Sequence, residues 1–215
     1  MLSGTGGSET FTAGHVRELV RRGINAQIAI VGPAVKQTKR DFPDLPIVGL
    51  VDQDAISKLT GTVVFVNQAY DVPTRNKAVI ILHCVVPSQV EQHLRKKDTI
   101  GKTIIATSVY NAQQWALYLN IPSNKINVVM PFADPIYGNS LRPKPAKKVR
   151  VLYAGRLHPE KGIYTILEMM HLYEMNILNV NMGIVMAGQH VEEGRVIAQM
   201  LKGYKYATLL SPRKT

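Results

Sequence analysis

Apolar positions along this chain switch repeatedly between helical and extended spacing. Over residues 8–22 they fall at Phe11, Val16, Leu19 and Val20, roughly one face of a helix, and the pattern stops at Gly23. Residues 26–31 form a short apolar run that ends at Gly32-Pro33, which predicts a strand followed by a turn. Further strand-like runs occupy 62–66, 78–82, 103–107 and 126–129. Between the last two, residues 111–119 read as a helix closed by Ile121-Pro122. Short, β-branched and nearly continuous apolar runs suit a parallel sheet buried on both faces. Their alternation with helices predicts an α/β fold, a Rossmann-like parallel sheet flanked by helices.

A break interrupts this rhythm at residues 142–148, where Pro143 and Pro145 sit among charges. Proline supplies no backbone donor, so neither a helix nor a central strand continues through such a segment. The expected organisation is therefore an N-terminal domain over 1–141, a linker over 142–148 and the start of a second domain over 149–215. In the second part a strand at 149–154 leads into a glycine turn. A helix at 163–173, a strand at 182–187 and a helix at 192–202 follow, the βαβ opening of a second Rossmann-like domain. Both ends look cut. The first glycine turn comes at Gly4 with no room for a strand before it, and the second part holds too few strands for a doubly wound sheet.

Composition changes this picture in two ways. A hydrophobic fraction of 46% over 215 residues is enough for a buried core, and no apolar run approaches the roughly 20 residues that cross a bilayer. With no signal-peptide pattern at the start, the expectation is a soluble cytoplasmic chain. The single cysteine, Cys84, leaves no internal disulfide and no Cys-rich zinc site, and it fits best as a buried thiol in the apolar run 79–86. The charge matters more, because 26 basic against 15 acidic residues give +11 and favour anionic partners. The basic residues come in ones and twos, without a basic arm or aromatic interleaving, so specific nucleic-acid binding is not expected.

Two glycine turns carry the candidate chemistry. The first, Gly4-Thr5-Gly6-Gly7-Ser8-Glu9, immediately precedes a helix. Glycines there let the backbone approach a bulky anion, and helix-start amides attract phosphate. No lysine follows, so it is not a Walker loop, and Glu9 occupies the third glycine position of the dinucleotide spacing. A plain tight turn with Ser8 as N-cap fits it as well. The second turn, Gly155-Arg156-Leu157-His158-Pro159-Glu160-Lys161-Gly162, lies between a clear strand and a clear helix. Arg156 offers a rigid fork of donors and Lys161 a mobile point charge, and both could converge on a diphosphate. The alternative is a surface salt bridge from Glu160, worth roughly 0–1 kcal/mol.

Here the residues carry a family resemblance. Tyr153-Ala154-Gly155-Arg156-Leu157 and Pro159-Glu160-Lys161-Gly162-Ile163 resemble the donor-domain signature of glycosyltransferase family 4. Gly6-Gly7-Ser8-Glu9, with Leu19 and Gly23 after it, is similar to that family's acceptor-domain start. Thr107-Ser108, Pro122, Lys125-Ile126 and Val128-Val129 follow in the family's order. The resemblance implies a GT-B architecture of two Rossmann-like domains, with the acceptor side first and the donor side second. It implies transfer from a nucleotide-diphosphate sugar with retention, and with neither cofactor nor metal. By the same resemblance Arg156 and Lys161 hold the donor diphosphate, approached by Gly6 and Gly7. Gly155, Glu160 and Gly162 shape the donor-site turn, and His83, after the strand 78–82, is the catalytic candidate facing the transferred sugar. A hydrogen-bonded structural histidine is the alternative for His83.

Three departures stand out. Pro131-Phe132 replaces the family's Asn-Gly turn, Gln189 stands where a small residue is usual after Gly188, and the chain stops before the family's pair of glutamates. The last predicts little or no sugar transfer by these 215 residues alone. The expected partners are a nucleotide sugar and a glycan, lipid-linked or protein acceptor. Arg17, Arg21 and Arg22, on one side of the first helix, suggest peripheral contact with anionic lipid, or simply a solvated face. His15, His171, Tyr173 and Met169-Met170 fit surface, capping or packing roles, and His158, inside the second glycine turn, either approaches phosphate or is simply exposed. No His-Glu-x-x-His or glycine-flanked serine motif occurs. The rivals to an enzyme are a basic α/β nucleic-acid-binding module and a non-catalytic remnant acting as an interaction protein.

Overall fold

A computed structural model of the chain describes residues 7–67, 72–86, 94–132, 149–155, 157–175, 182–187 and 192–210. It divides into two compact units, Met1–Asn139 and Ser140–Thr215. The linker expected over 142–148 lies outside the described residues.

The first unit runs α1 (Gly7–Arg21), β1 (Ile28–Val31), α2 (Val35–Asp41), β2 (Ile47–Leu50), β3 (Val63–Val66), β4 (Ala78–Leu82), β5 (Thr103–Ala106), α3 (Val109–Leu119) and β6 (Ile126–Val128). Every strand pair is parallel. Strands β3-β4-β5-β6 form one four-stranded sheet and β1-β2 a two-stranded one. The order is thus an α/β fold with a parallel sheet flanked by helices, as the alternating pattern predicts. Strand β4 lies inside the sheet. Its residues Ala78, Ile80 and Leu82 are buried, while Val79 and Ile81 between them are half-buried. One face is therefore sealed more completely than the other, and neither face of β4 is exposed.

Helix α3 seals that face. Ser108 caps it, its hydroxyl accepting from the Asn111 amide at 3.1 Å, and Asn120 closes it in a left-handed conformation. Ala112, Trp115, Ala116 and Leu119 recur at helical spacing and pack with Ile80, Leu82 and Ile104 in the main core. A smaller cluster beneath α1 joins Ala13 and Val16 to Ile28, Ile30 and Leu45.

Helix α2 and strand β2 have no counterpart in the sequence reading. Helix α2, Val-Lys-Gln-Thr-Lys-Arg-Asp, holds a single large apolar residue, and Gly49 interrupts β2. Gly49 has a packing reason, since a Cβ there would stand 2.9 Å from a Val35 methyl. Only a residue without a side chain lets α2 lie this close to β2.

The second unit runs β7 (Val149–Ala154), α4 (Ile163–Glu174), β8 (Met182–Ala187), α5 (Glu192–Leu201) and β9 (Ala207–Leu210), with the parallel order β7-β8-β9. Its core joins Leu157, Ile163, Leu167 and Met170 to Ile197 and Leu201. Met170 is thus a core residue, while Tyr173 packs beside it and rests edge-on against Tyr206. The Tyr206 hydroxyl donates to the Met170 carbonyl, and burial pushes its pKa up to about 12.

Candidate functional site

Ligands of open α/β sheets bind outside the carboxyl ends of the strands. In the first unit that edge holds His83, the residue directly after β4. Its backbone is held from two directions. From α3, one turn apart, Asn111 Nδ2 donates to the Leu82 carbonyl at 2.8 Å and Trp115 Nε1 donates to the Cys84 carbonyl at 2.8 Å. From the end of β3, Asn67 Oδ1 accepts from the amides of His83 at 2.6 Å and Cys84 at 3.2 Å. Four backbone groups around His83 therefore have side-chain partners.

Asn67 does more than accept. Its Nδ2 donates to the Ser8 hydroxyl at 3.0 Å and lies 3.3 Å from Cys84 Sγ, and its own amide donates to the Ile81 carbonyl at 2.8 Å. It sits at φ +59°, a left-handed conformation that asparagine tolerates better than most side chains. Ser8 lies within the first turn of α1, and its hydroxyl takes this long-range bond, where the sequence suggested an N-cap.

The His83 ring rests against the start of α1. A Cβ on Gly7 would stand 3.5 Å from His83 Cε1, and the Phe11 ring lies 5.0 Å away, edge-on at 66°. The contacts continue along α1: Phe11 to His15 at 4.1 Å, then His15 to Phe132 at 4.8 Å. His15 Nδ1 is 2.9 Å from the Phe11 carbonyl. His15 is therefore one member of an aromatic row, a role beyond the solvated or capping one expected. Phe132 belongs to the Pro131-Phe132 pair that departs from the family pattern.

Burial pushes the His83 pKa below its ordinary value of 6.5, against opposing pulls from the Glu9 carboxylate and a backbone hydrogen bond. A neutral imidazole at a strand end can accept a proton or share a hydrogen bond with a hydroxyl. The shift also fixes a sign. A depressed histidine pKa contributes stability that is intact above 6.5 and lost as pH falls through the folded value. His83→Gln should flatten this part of the acid sensitivity. Urea denaturation of both proteins at neutral and mildly acidic pH tests it, and an identical loss in both would remove His83 as the source.

In the second unit, the turn after β7 is pinned by Leu157, whose side chain is fully buried. Residues Pro159–Lys161 form a single 3-10 turn, with the Lys161 amide donating to the His158 carbonyl and the Gly162 amide to the Pro159 carbonyl, both at 2.9 Å. Gly162 stands at φ +70° before α4, a conformation that favours glycine. Lys161 is exposed and Gly155 half-buried. Arg156, Gly6 and the Glu160 side chain lie outside the described residues, as does Gln189. Of the candidate residues, Gly7 and His83 thus lie together in the first unit, and Gly155, Lys161 and Gly162 lie along the strand-to-helix turn of the second.

The three arginines of α1 and its end are engaged within the chain. Arg17 makes a two-pronged contact with Asp44 at 2.6 and 3.0 Å, and Arg21 and Arg22 both hold Glu18 at 2.7 Å. Hydrogen bonds from Arg21 and Arg22 draw the Glu18 pKa down to about 2. An anionic lipid surface would have to compete with these carboxylates. Among the described residues no helix is long and apolar enough to cross a membrane, and no three His, Cys, Asp or Glu side chains converge as metal ligands would.

Asn67, Asn111 and Trp115 escaped the sequence reading. A lone asparagine directly after an apolar strand run was the available signal for Asn67. Asn111 is almost fully buried, and its Oδ1 has no hydrogen-bond partner among the described residues. Parallel strands flanked by helices, with polar side chains gathered where a strand gives way to a turn, put the chain in the α/β class. No protein-family model matches the chain, and no curated protein matches it.

Proposed function

We propose that the chain belongs to a retaining, family 4 type glycosyltransferase of GT-B architecture, which moves a sugar from a nucleotide-diphosphate donor to an acceptor. The observation that carries this reading is the His83 ring resting on Gly7, at the carboxyl edge of a parallel sheet and the first turn of a helix. In such a site Gly6 and Gly7 let a phosphate approach the helix-start amides, and His83 hydrogen-bonds the sugar undergoing transfer. Arg156 and Lys161 meet the charge that grows on the leaving diphosphate, which makes a metal unnecessary. Cations held there lower the barrier more than they tighten the ground state. Gly155, Glu160 and Gly162 shape the turn that presents them, and Leu157 anchors it. The acceptor is a glycan, a lipid-linked sugar or a protein.

The rival nucleic-acid reading rests on net charge alone, and Arg17, Arg21 and Arg22, in α1 and directly after it, are already paired with Asp44 and Glu18.

Calorimetric titration with uridine, guanosine and adenosine diphosphates tests the proposal. At least one should bind, and Arg156→Ala should weaken it about tenfold or more, roughly 1.4 kcal/mol, with the melting temperature unchanged. Equal affinity in the variant would take Arg156 out of the site. Absence of binding by all three nucleotides would count against the proposal itself.

A further inference from the structure

Asn67 lies at the meeting point of three segments that are far apart in sequence. It follows β3, accepts from two amides just beyond β4 and donates to Ser8 in the first turn of α1. These are the same two segments whose contact brings the His83 ring against Gly7 and Phe11. Strand β3 ends at Val66, and Asn67 turns left-handed at φ +59°, the conformation in which it makes these bonds. From α3, Asn111 and Trp115 donate to the carbonyls of Leu82 and Cys84. The His83 and Cys84 amides are held by Asn67.

We propose that Asn67 is a positioning residue: its side-chain amide fixes the His83 backbone after β4 and ties it to α1, so that the imidazole meets the helix start in one orientation. What His83 does there rests on the sugar-transfer reading, whereas its placement by Asn67 does not. A carboxamide suits this task because it offers an acceptor to two amides and, at the same time, a donor to the Ser8 hydroxyl. Glycine would accept the left-handed backbone at no cost but supply neither group. Aspartate would keep the acceptor and lose the donor.

This contrast makes the test. Asn67→Gly and Asn67→Asp are compared with the unaltered chain by amide hydrogen exchange and by the nuclear magnetic resonance of the His83 ring, with far-ultraviolet circular dichroism to follow folding. In the glycine variant the His83 and Cys84 amides should exchange about tenfold faster, the scale of one lost hydrogen bond. The His83 Cε1 proton should also lose its proximity to Gly7 and Phe11. In the aspartate variant the two amides should stay protected. A purely conformational role for residue 67 predicts the reverse, with glycine leaving His83 untouched, and that result would overturn the proposal. If Asn67→Gly fails to fold, Asn67→Asp decides it: exposed His83 and Cys84 amides in a folded aspartate variant would equally overturn it. These readouts need no sugar or nucleotide. Failure of nucleoside diphosphates to bind would end the sugar-transfer reading and leave the result on Asn67 standing.

Discussion

Trp115→Ala should destabilise the first unit by about 3–5 kcal/mol, the usual cost of emptying a fully buried aromatic site. Trp115 is the only tryptophan in the chain and has no exposed surface. Its ring packs in the main core beneath β4 and meets Tyr118 edge-on at 5.6 Å. Removing it leaves a cavity under the strand and also strips the Cys84 carbonyl of its donor. The two losses separate with Trp115→Phe, which keeps most of the buried area and removes only the N–H. The loss of one hydrogen bond costs roughly 0.5–1.5 kcal/mol, so phenylalanine should recover most of the stability but not all. Urea denaturation followed by circular dichroism measures both, since the fluorophore itself is removed. A loss below about 1 kcal/mol for alanine would mean the surrounding core collapses onto the site far more readily than its close packing suggests.

Leu157→Ala should cost the second unit about 2–5 kcal/mol by the same mechanism. On the proposed function, stability and diphosphate binding fall on adjacent residues, Leu157 and Arg156. Leu157 is buried against Ile163, Leu167 and Met170, and it anchors the turn that carries Lys161 to Gly162. Loosening the anchor should both lower the melting temperature and weaken nucleoside diphosphate binding. Arg156→Ala, next to it, should weaken binding alone. The pair therefore distinguishes a residue that builds the turn from one that uses it. If Leu157→Ala left both stability and exchange at the Lys161 and Gly162 amides unchanged, the turn would not depend on this anchor.

Several elements were legible from local pattern. Apolar runs at 62–66, 78–82, 103–107 and 126–129 lie on β3 to β6, and the runs at 149–154 and 182–187 coincide with β7 and β8. Helix α3 was visible as the stretch 111–119 before Ile121-Pro122, and begins two residues earlier than read because Ser108 caps it. Helix α2, β2 and β9 were not visible. Helix α2 offers a single large apolar residue, Val35, and Gly49 makes sense only once that side chain is known to lie above it.

The sequence by itself determined the alternation of strands and helices and the parallel character of the sheets, because burial periodicity and capping are properties of neighbouring residues. It also marked the turn from Gly155 to Gly162 as a place where a strand gives way to polar residues, while His83 entered through the family resemblance. Only the tertiary structure decided how His83 is held. Its amide bonds Asn67 across 16 positions, the Leu82 carbonyl before it bonds Asn111 across 29, and the Cys84 carbonyl after it bonds Trp115 across 31. Hydrogen bonds of that span are set by which strands pair and which helix lies beneath them. No local pattern encodes that choice, because any polar side chain brought to the same strand end competes for the same unpaired backbone groups.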